Sequence, residues 1–294
     1  MPALAHSWRP SLHFAAGNLP LFAPEPIFSL AYKKEPLGYN DRWALMTYAA
    51  PTHPPEVLAF IRMLQKRDTL SDDEIALIKS MPVRRKTFPG GTDVVAEHSR
   101  PSESCMVLKG IAARGQYLRK GDRQITAFHV PGDFVDLHAY LLKVMDHSVV
   151  AMDACEVGFV PHDEIRRVTE QSPHLGRLFW LSTVIDAAIQ RTWITCLGRR
   201  SATQYMAHLF CELYLRLEAA GIATGFRFDF PLTQAQLADA LGLSVVHVNK
   251  KLQELRASGL AEWKSGTVAI HDFRGLAQLA EFDPTYLSLR VEPR

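Results

Sequence analysis

The stretch that decides the fold is residues 232–272, "LTQAQLADALGLSVVHVNKKLQELRASGLAEWKSGTVAIHD". It holds two short amphipathic segments joined by a tight turn at Gly242, a residue type that adopts conformations closed to other side chains. Thr233 precedes the first segment and Ser244 precedes the second, and both residue types cap helix N-termini. The spacing therefore predicts two short helices in a helix-turn-helix arrangement.

The second of these helices is predicted to bury one face and expose the other. At 100° per residue the buried stripe comprises Val245, Val248, Leu252 and Leu255. The outer face and its flanks carry Val246, His247, Asn249, Lys250, Lys251 and Gln253. Lysine bonds guanine or phosphate, asparagine bonds adenine, and valine contacts the thymine methyl group, so this face suits the DNA major groove. Residues 259–272 then predict a β-hairpin that turns at Ser265 and Gly266, forming a wing.

Upstream, a long apolar helix is predicted over residues 173–198. Its stripe follows 3-4 spacing through Leu178, Leu181, Ile185, Ala188 and Thr192. A stripe of this length packs either on the protein's own upstream domain or on the same helix of a second subunit, as in a coiled coil. A further helix begins after Ser201 and ends at Gly221.

Short β-prone runs punctuated by turn residues fill residues 83–160. Pro89-Gly90-Gly91, Lys120-Gly121-Asp122 and Pro131-Gly132-Asp133 mark the turns between them. Strands of this length and spacing predict a compact antiparallel barrel or roll. Before the roll, helical periodicity begins near Pro55, and Ser71 with Glu74 forms a capping-box pattern.

A roll containing "PGDF" at 131–134, a long helix and residues 232–272 together resemble the Crp/Fnr family of bacterial transcription regulators. The resemblance covers roughly residues 70–285 and implies an α+β protein, with a β-roll like that of cyclic-nucleotide-binding domains, a long dimerisation helix and a C-terminal winged helix-turn-helix. It implies a homodimer on double-stranded DNA, at a pseudo-palindromic operator, with RNA polymerase as a candidate further partner. The corresponding divisions are an N-terminal extension at 1–55, a roll at 56–172, a dimerisation helix at 173–198 and a DNA-binding domain at 199–294.

Site residues follow from the resemblance by position. Those placed to read bases are Val245, Val246, Asn249 and Lys250. Those placed against DNA phosphates are Thr233, Ser244, His247 and Lys251. Those assigned to the dimer interface are Leu178, Leu181, Ile185 and Ala188. Where many members have an Arg-Glu pair at the start of the recognition helix, this chain has two valines, which predicts a different half-site.

The ligand loop that follows "PGDF" departs from the cyclic-nucleotide pattern. Val135 and Asp136 stand where nucleotide-binding members have a Gly-Glu pair, and no arginine lies between Asp133 and Cys155 to hold a phosphate. Lys143 and His147 would compensate only in part. The sequence does not favour cyclic nucleotide, and the candidate loop residues are Gly132, Asp133, Asp136, His138, His147 and Ser148.

Histidines and aspartates in residues 129–147 leave a second hypothesis open. His129, Asp136, His138, Asp146 and His147 are of types that bind metal ions, and histidine also binds haem iron. The alternative is therefore a haem- or metal-dependent regulator. Isolated, hydrogen-bonded histidines without any cofactor remain the simpler interpretation.

Composition sets the remaining limits. A chain of 294 residues has room for about two domains. Its net charge of +2 does not by itself imply a polyanionic partner, so evidence for DNA binding must be local. The four cysteines lack any C-x-x-C pair and predict reduced, buried thiols. There is neither a signal-peptide pattern nor an apolar run of membrane-spanning length, which predicts a cytoplasmic protein without a membrane partner. Common catalytic motifs are missing, which argues against an enzyme.

Residues 1–55 are compatible with a disordered arm, a strap over the roll, or a start at Met46 or Met63.

Overall fold

The computed structural model describes residues 57–294, and the predicted extension at 1–55 lies outside the described residues. The helices are α1 Leu58–Gln65, α2 Asp72–Lys79, α3 Ala139–Leu142, α4 His162–Gln171, α5 Pro173–Arg199, α6 Ala202–Ala219, α7 Gln234–Leu241, α8 Val245–Ala257 and α9 Phe273–Ala280. The strands are β1 Arg84–Phe88, β2 Asp93–Val95, β3 Glu103–Lys109, β4 Ala112–Tyr117, β5 Arg123–His129, β6 Ser148–Ala151, β7 Cys155–Pro161, β8 Arg227–Asp229, β9 Ala261–Lys264 and β10 Thr267–Ile270. Between residues 57 and 294, no helix is both long enough and apolar enough to cross a membrane.

The first seven strands form an antiparallel roll of two sheets. One sheet has the order β1-β7-β3 and the other the order β2-β6-β4-β5. Their inner faces enclose a small apolar core that includes Val107, Val149 and Val157. Six of the seven strands were predicted from β-prone runs, whereas the three-residue β2 is too short to show a pattern. The α+β architecture, with roll, long helix and winged helix-turn-helix, is confirmed.

Side-chain caps set the starts of several helices. Ser71 and Glu74 form the predicted capping box of α2, and Ser201 with Gln204 forms one at α6. Each box satisfies backbone N–H groups that a helix N-terminus leaves without partners. The starts of α2 and α6 are therefore local properties of the chain.

The "PGDF" segment runs beside β3. The N–H of Gly132 donates to the carbonyl of Val107 at 2.9 Å, and the N–H of Val107 donates to the carbonyl of Asp133 at 3.0 Å. Gly132 has a φ of +98°, and a Cβ there would lie 2.8 Å from the sulfur of Met63. Glycine is required at this turn because α1 approaches so closely.

Helix α5 joins two apolar clusters. Its N-terminal half contributes Leu175, Leu178 and Phe179 to a cluster shared with α1, α2 and α4. Its C-terminal half contributes Ile185, Ile189, Trp193 and Cys196 to a second cluster, shared with α6 and the C-terminal domain. Because one continuous helix enters both cores, α5 ties the roll to the winged helix-turn-helix.

A buried ionic network connects the same parts. The Arg216 guanidinium on α6 donates to Glu212 at 3.1 Å, to the Phe128 carbonyl at 2.8 Å and to Asp133 at 2.6 Å. Glu212 also accepts from Trp193 Nε1 on α5 at 3.1 Å and from the Tyr286 hydroxyl at 2.7 Å. Burial would lower the pKa of Arg216, but the nearby Asp133 and Glu212 carboxylates outweigh burial and raise it. The "PGDF" turn thereby holds a helix of the C-terminal domain.

The helix-turn-helix also docks directly on the roll. Arg123 of β5 forms an ion pair with Asp239 of α7 at 2.7 Å, and Gln124 donates to the carbonyl of Ala240. Gln236 of α7 donates to the carbonyl of Met152 at 3.0 Å. The position of α7 is therefore set by polar contacts with the roll as well as by its own core.

Replacing Asp133 with asparagine removes the charge that the "PGDF" turn supplies to Arg216. Breaking a buried ion pair costs about 3–5 kcal/mol, and because Arg216 retains Glu212 we expect a loss of about 2–3 kcal/mol in the free energy of unfolding. Denaturant titration followed by circular dichroism measures this loss.

The matched control is Asp163→Asn, which breaks a solvent-exposed pair with Arg166 and should leave stability unchanged within error. Equal stability of the two variants would contradict the structural role assigned to Asp133.

Candidate nucleic-acid interface and roll cavity

Helices α7 and α8 are joined by the predicted turn. The Thr233 hydroxyl accepts from the N–H of Gln236 in a capping box, and Gly242 ends α7 with a φ of +65°. The Ser244 hydroxyl accepts from the N–H of His247 at 3.3 Å and so begins α8. These two caps and the left-handed glycine fix the angle between the helices.

Within residues 57–294, the outer face of α8 is exposed. Val246 is 80% exposed, and His247, Asn249 and Lys250 are also exposed. On the opposite side Val248 and Leu255 are buried in the core of the domain. A helix supported from behind with exposed lysine, asparagine and valine presents the groups that read base edges in the major groove.

The buried stripe predicted for α8 is wrong at one position, Val245. Its side chain is 42% exposed, because the first residue of α8 projects beyond the core that Val248 and Leu255 fill. Exposure leaves Val245 accessible at the end of the helix where base contacts are predicted.

Lys251 already forms an ion pair within the chain, which the sequence pattern did not predict. Its ammonium lies 2.8 Å from Glu254 Oε2, and Glu254 also accepts from the hydroxyl of Thr203 on α6. Hydrogen bonds from Lys251 and Thr203 lower the pKa of Glu254. A phosphate contact by Lys251 therefore competes with an existing ion pair.

The wing after α8 is the predicted β-hairpin. Strands β9 and β10 pair antiparallel, with Thr267 opposite Lys264, and β8 completes a three-stranded sheet. Ser265 and Gly266 both have positive φ values, of 51° and 76°, which the two-residue turn requires.

Of the four dimer-interface residues predicted on α5, Leu178 and Ile185 require correction. Leu178 is fully buried and Ile185 is 4% exposed within a single chain, while Leu181 packs against both apolar clusters and Ala188 is half-buried. The 3-4 stripe is the face on which α5 packs against its own domains. Nearly opposite on the helix lies a second apolar face, which carries the exposed side chains of Trp180, Val184, Ile194 and Leu197.

The predicted ligand loop divides into two parts. Gly132 and Asp133 contact α1 and Arg216, so they serve the turn rather than a ligand. Asp136 is fully buried and accepts from the N–H of Cys105 at 2.6 Å, and the hydroxyl of Ser148 accepts from the N–H of Glu97. His138 and His147 are the loop residues that line a cavity.

This cavity, of about 440 Å³, lies between the roll and α5. Arg114 of β4 enters it, donating to Asp186 of α5 at 2.9 Å and to the carbonyl of Val135 at 3.3 Å. This arginine lies on β4, outside the loop in which a phosphate-binding arginine was expected, and it was not predicted. The available sign was a lone charged residue within the small, apolar strand segment around Ala112 and Ala113.

The surroundings of the histidines near Arg114 favour their neutral forms. Burial, reinforced by the Arg114 charge, lowers the pKa of His147 to about 4, and the same causes lower the pKa of His138. Burial and Arg114 also place the pKa of His129 well below its usual range. Burial raises the pKa of Asp136 to about 7. The surroundings of these side chains therefore shift their protonation equilibria toward the uncharged forms.

All four cysteines are free and buried, as predicted. Burial raises the pKa of Cys155 to about 12 and of Cys196 to about 11, so neither thiol is poised to ionise.

Comparisons with known proteins agree with this architecture. The profile of the cyclic nucleotide-binding domain matches residues 85–172, and that of the Crp-like helix-turn-helix domain matches residues 204–279. A probable transcriptional activator of Rhizobium leguminosarum bv. viciae is 26% identical over 205 residues, which are 70% of this chain and 81% of that protein. The transcriptional activator protein FnrL of Cereibacter sphaeroides is 24% identical over 215 residues, covering 72% of this chain and 86% of that protein.

Among solved structures, FixK2 from Bradyrhizobium japonicum superimposes with a TM-score of 0.61 and 20% identity. The match covers 68% of this chain and 98% of that chain, and at this identity it shows a shared fold. Both domain profiles, the related regulators and the common fold lead to one assignment: the chain belongs to the Crp/Fnr family of DNA-binding transcription regulators.

Proposed function

We propose that the protein acts as a homodimer that binds a pseudo-palindromic operator in the cytoplasm and regulates transcription there. The observation that carries the proposal is the exposed outer face of α8, on a helix whose start and rear side are both fixed by the fold. Two such helices, one from each subunit, would enter successive major grooves about one DNA turn apart.

Each exposed group on α8 has a distinct chemical partner. Asn249 suits bidentate bonding to adenine, Lys250 suits guanine O6 and N7, and Val246 suits the thymine methyl group. Val245 lies beside them at the start of the helix. Two valines at this end provide no hydrogen bonds, so the preferred half-site differs from that of members with an Arg-Glu pair.

Phosphate contacts are assigned to residues at the N-termini of α7 and α8. Thr233, Ser244 and His247 lie where backbone N–H groups and the helix dipole favour an anion. Lys251 joins them only after its ammonium leaves Glu254. Contacts of this kind set the register on DNA and make the affinity dependent on salt.

The second apolar face of α5 is assigned to the dimer seam. Trp180, Val184 and Ile194 recur on one side of a 27-residue helix, where exposed large apolar side chains need a partner surface. The opposite face of α5 is already packed, so pairing of two α5 helices would bury apolar surface on both sides.

The relatives named transcriptional activators support a positive role at promoters. RNA polymerase is then the expected protein partner. Cyclic nucleotide is not the expected effector, because the cavity beside the roll has two carboxylates, Asp146 and Asp186, against the single guanidinium of Arg114. A cyclic phosphate would meet a lining with excess negative charge.

Lys250→Ala tests the assignment of α8. We expect about tenfold or greater loss of affinity for the selected operator and a weaker preference for guanine at one position, because a good base contact contributes about 1–3 kcal/mol. Fluorescence anisotropy with labelled duplexes at fixed salt measures both quantities.

Lys66→Ala is the matched control, since Lys66 is an exposed lysine at the end of α1 and should not affect DNA affinity. Unchanged affinity and sequence preference in Lys250→Ala would refute the base-reading role.

Trp180→Glu tests the assignment of the α5 seam. Placing a charge in an apolar seam on both subunits should convert the dimer to a monomer at micromolar concentration and weaken operator binding accordingly. Analytical ultracentrifugation gives the mass in solution.

The control, Ile222→Glu, changes an equally apolar side chain that is 51% exposed outside α5, and it should remain dimeric. A dimeric Trp180→Glu protein would show that the subunits associate through another surface.

A further inference from the structure

The loop between β5 and β6 brings together side chains with no role in the fold described above. His138, Asp146 and His147 each offer one metal-ligating atom, and these atoms lie within 4.8 Å of one another. All three side chains line the cavity between the roll and α5. His129 and Asp136, which the sequence hypothesis included, are not members of this group.

Hydrogen bonding orients one imidazole for coordination. His147 Nδ1 lies 2.7 Å from a carboxylate oxygen of Asp146, and because a carboxylate only accepts, Nδ1 carries the proton. The lone pair then resides on Nε2. A carboxylate that holds the far nitrogen of a histidine is the usual support of a metal-binding imidazole.

Both histidines have a buried nitrogen that no residue of 57–294 bonds. Within these described residues, Nε2 of His147, whose side chain is 8% exposed, has no hydrogen-bond partner, and the same is true of Nε2 in His138. The two rings lie with their centroids 5.2 Å apart. Buried polar atoms without partners are costly, and because both residues line one cavity, a ligand that enters it could satisfy them.

The charge of the cavity favours a cation. The lining contains the carboxylates of Asp146 and Asp186 and the guanidinium of Arg114. Asp186 accepts from Arg114 at 2.9 Å, and this ion pair offsets part of the repulsion that the guanidinium would exert on a metal ion. The carboxylate of Asp146, which is 73% exposed, remains to balance an incoming charge.

We propose that His138 and His147 bind a divalent transition-metal ion of the zinc type through Nε2, with Asp146 as the carboxylate that holds Nδ1 of His147. Imidazole nitrogens bind such ions at about 2.0–2.1 Å, and water would fill the remaining positions. Ligand atoms around one ion lie closer together than 4.8 Å, so binding would draw the loop inward. The opposite wall of the cavity is α5, which enters both cores of the protein.

The test uses full-length protein freed of metal by a chelator and then titrated with Co²⁺, with Zn²⁺ as competitor. We expect one Co²⁺ per chain, with visible absorption bands that Zn²⁺ abolishes. His138→Gln and His147→Gln should each weaken binding at least about tenfold. Asp146→Asn should also weaken it, and because Asp146 is exposed this variant retains the fold if a buried histidine variant does not.

His271→Gln is the matched control, since His271 is a half-exposed imidazole beside Glu262 in the C-terminal domain. It should bind Co²⁺ as the unaltered protein does. Lack of saturable Co²⁺ binding would overturn the proposal. So would undiminished binding in folded Asp146→Asn and His138→Gln, which would place the ion elsewhere. No DNA is present, so the result is independent of the proposed function.

Discussion

The buried guanidinium of Arg216 is the interaction on which the arrangement of the two domains depends. It binds Glu212 on its own helix and Asp133 in the "PGDF" turn of the roll. Glu212 in turn receives Trp193 of α5. A charge removed from water in this way must keep its partners, because losing one leaves an uncompensated ion in the interior. The roll, the long helix and the DNA-binding domain are consequently held in one fixed arrangement relative to one another.

This constraint gives the family motif a structural meaning. In the sequence, "PGDF" resembles the entrance to a ligand loop, yet Gly132 admits α1 and Asp133 holds α6. The side chains that line the cavity come later in the loop and from Arg114 on β4. Any ligand in that cavity would touch α5 and the loop. The motif itself instead fixes the C-terminal domain relative to the roll, through the contact of Asp133 with Arg216.

Local patterns predicted most of the fold. The caps at Thr233 and Ser244, the glycine turn and the six longer strands of the roll depend on neighbouring residues and were found from sequence. Contacts between residues that are far apart in the sequence were not predicted. Periodicity identifies an apolar face of α5 but not what covers it, so the sequence left open whether the stripe packs on the protein's own domain or on a second subunit, and the structure places Leu178 in the protein's own core. The pairing of Arg114 with Asp186 joins residues 72 positions apart and leaves no pattern in the chain.

Selection of bound duplexes from a random DNA pool by the full-length protein tests most directly whether two recognition helices act together. The structure predicts enrichment of a pseudo-palindrome whose half-site centres lie about 10 base pairs apart. Enrichment of a single half-site, or of no sequence, would contradict a dimeric regulator that reads DNA through α8.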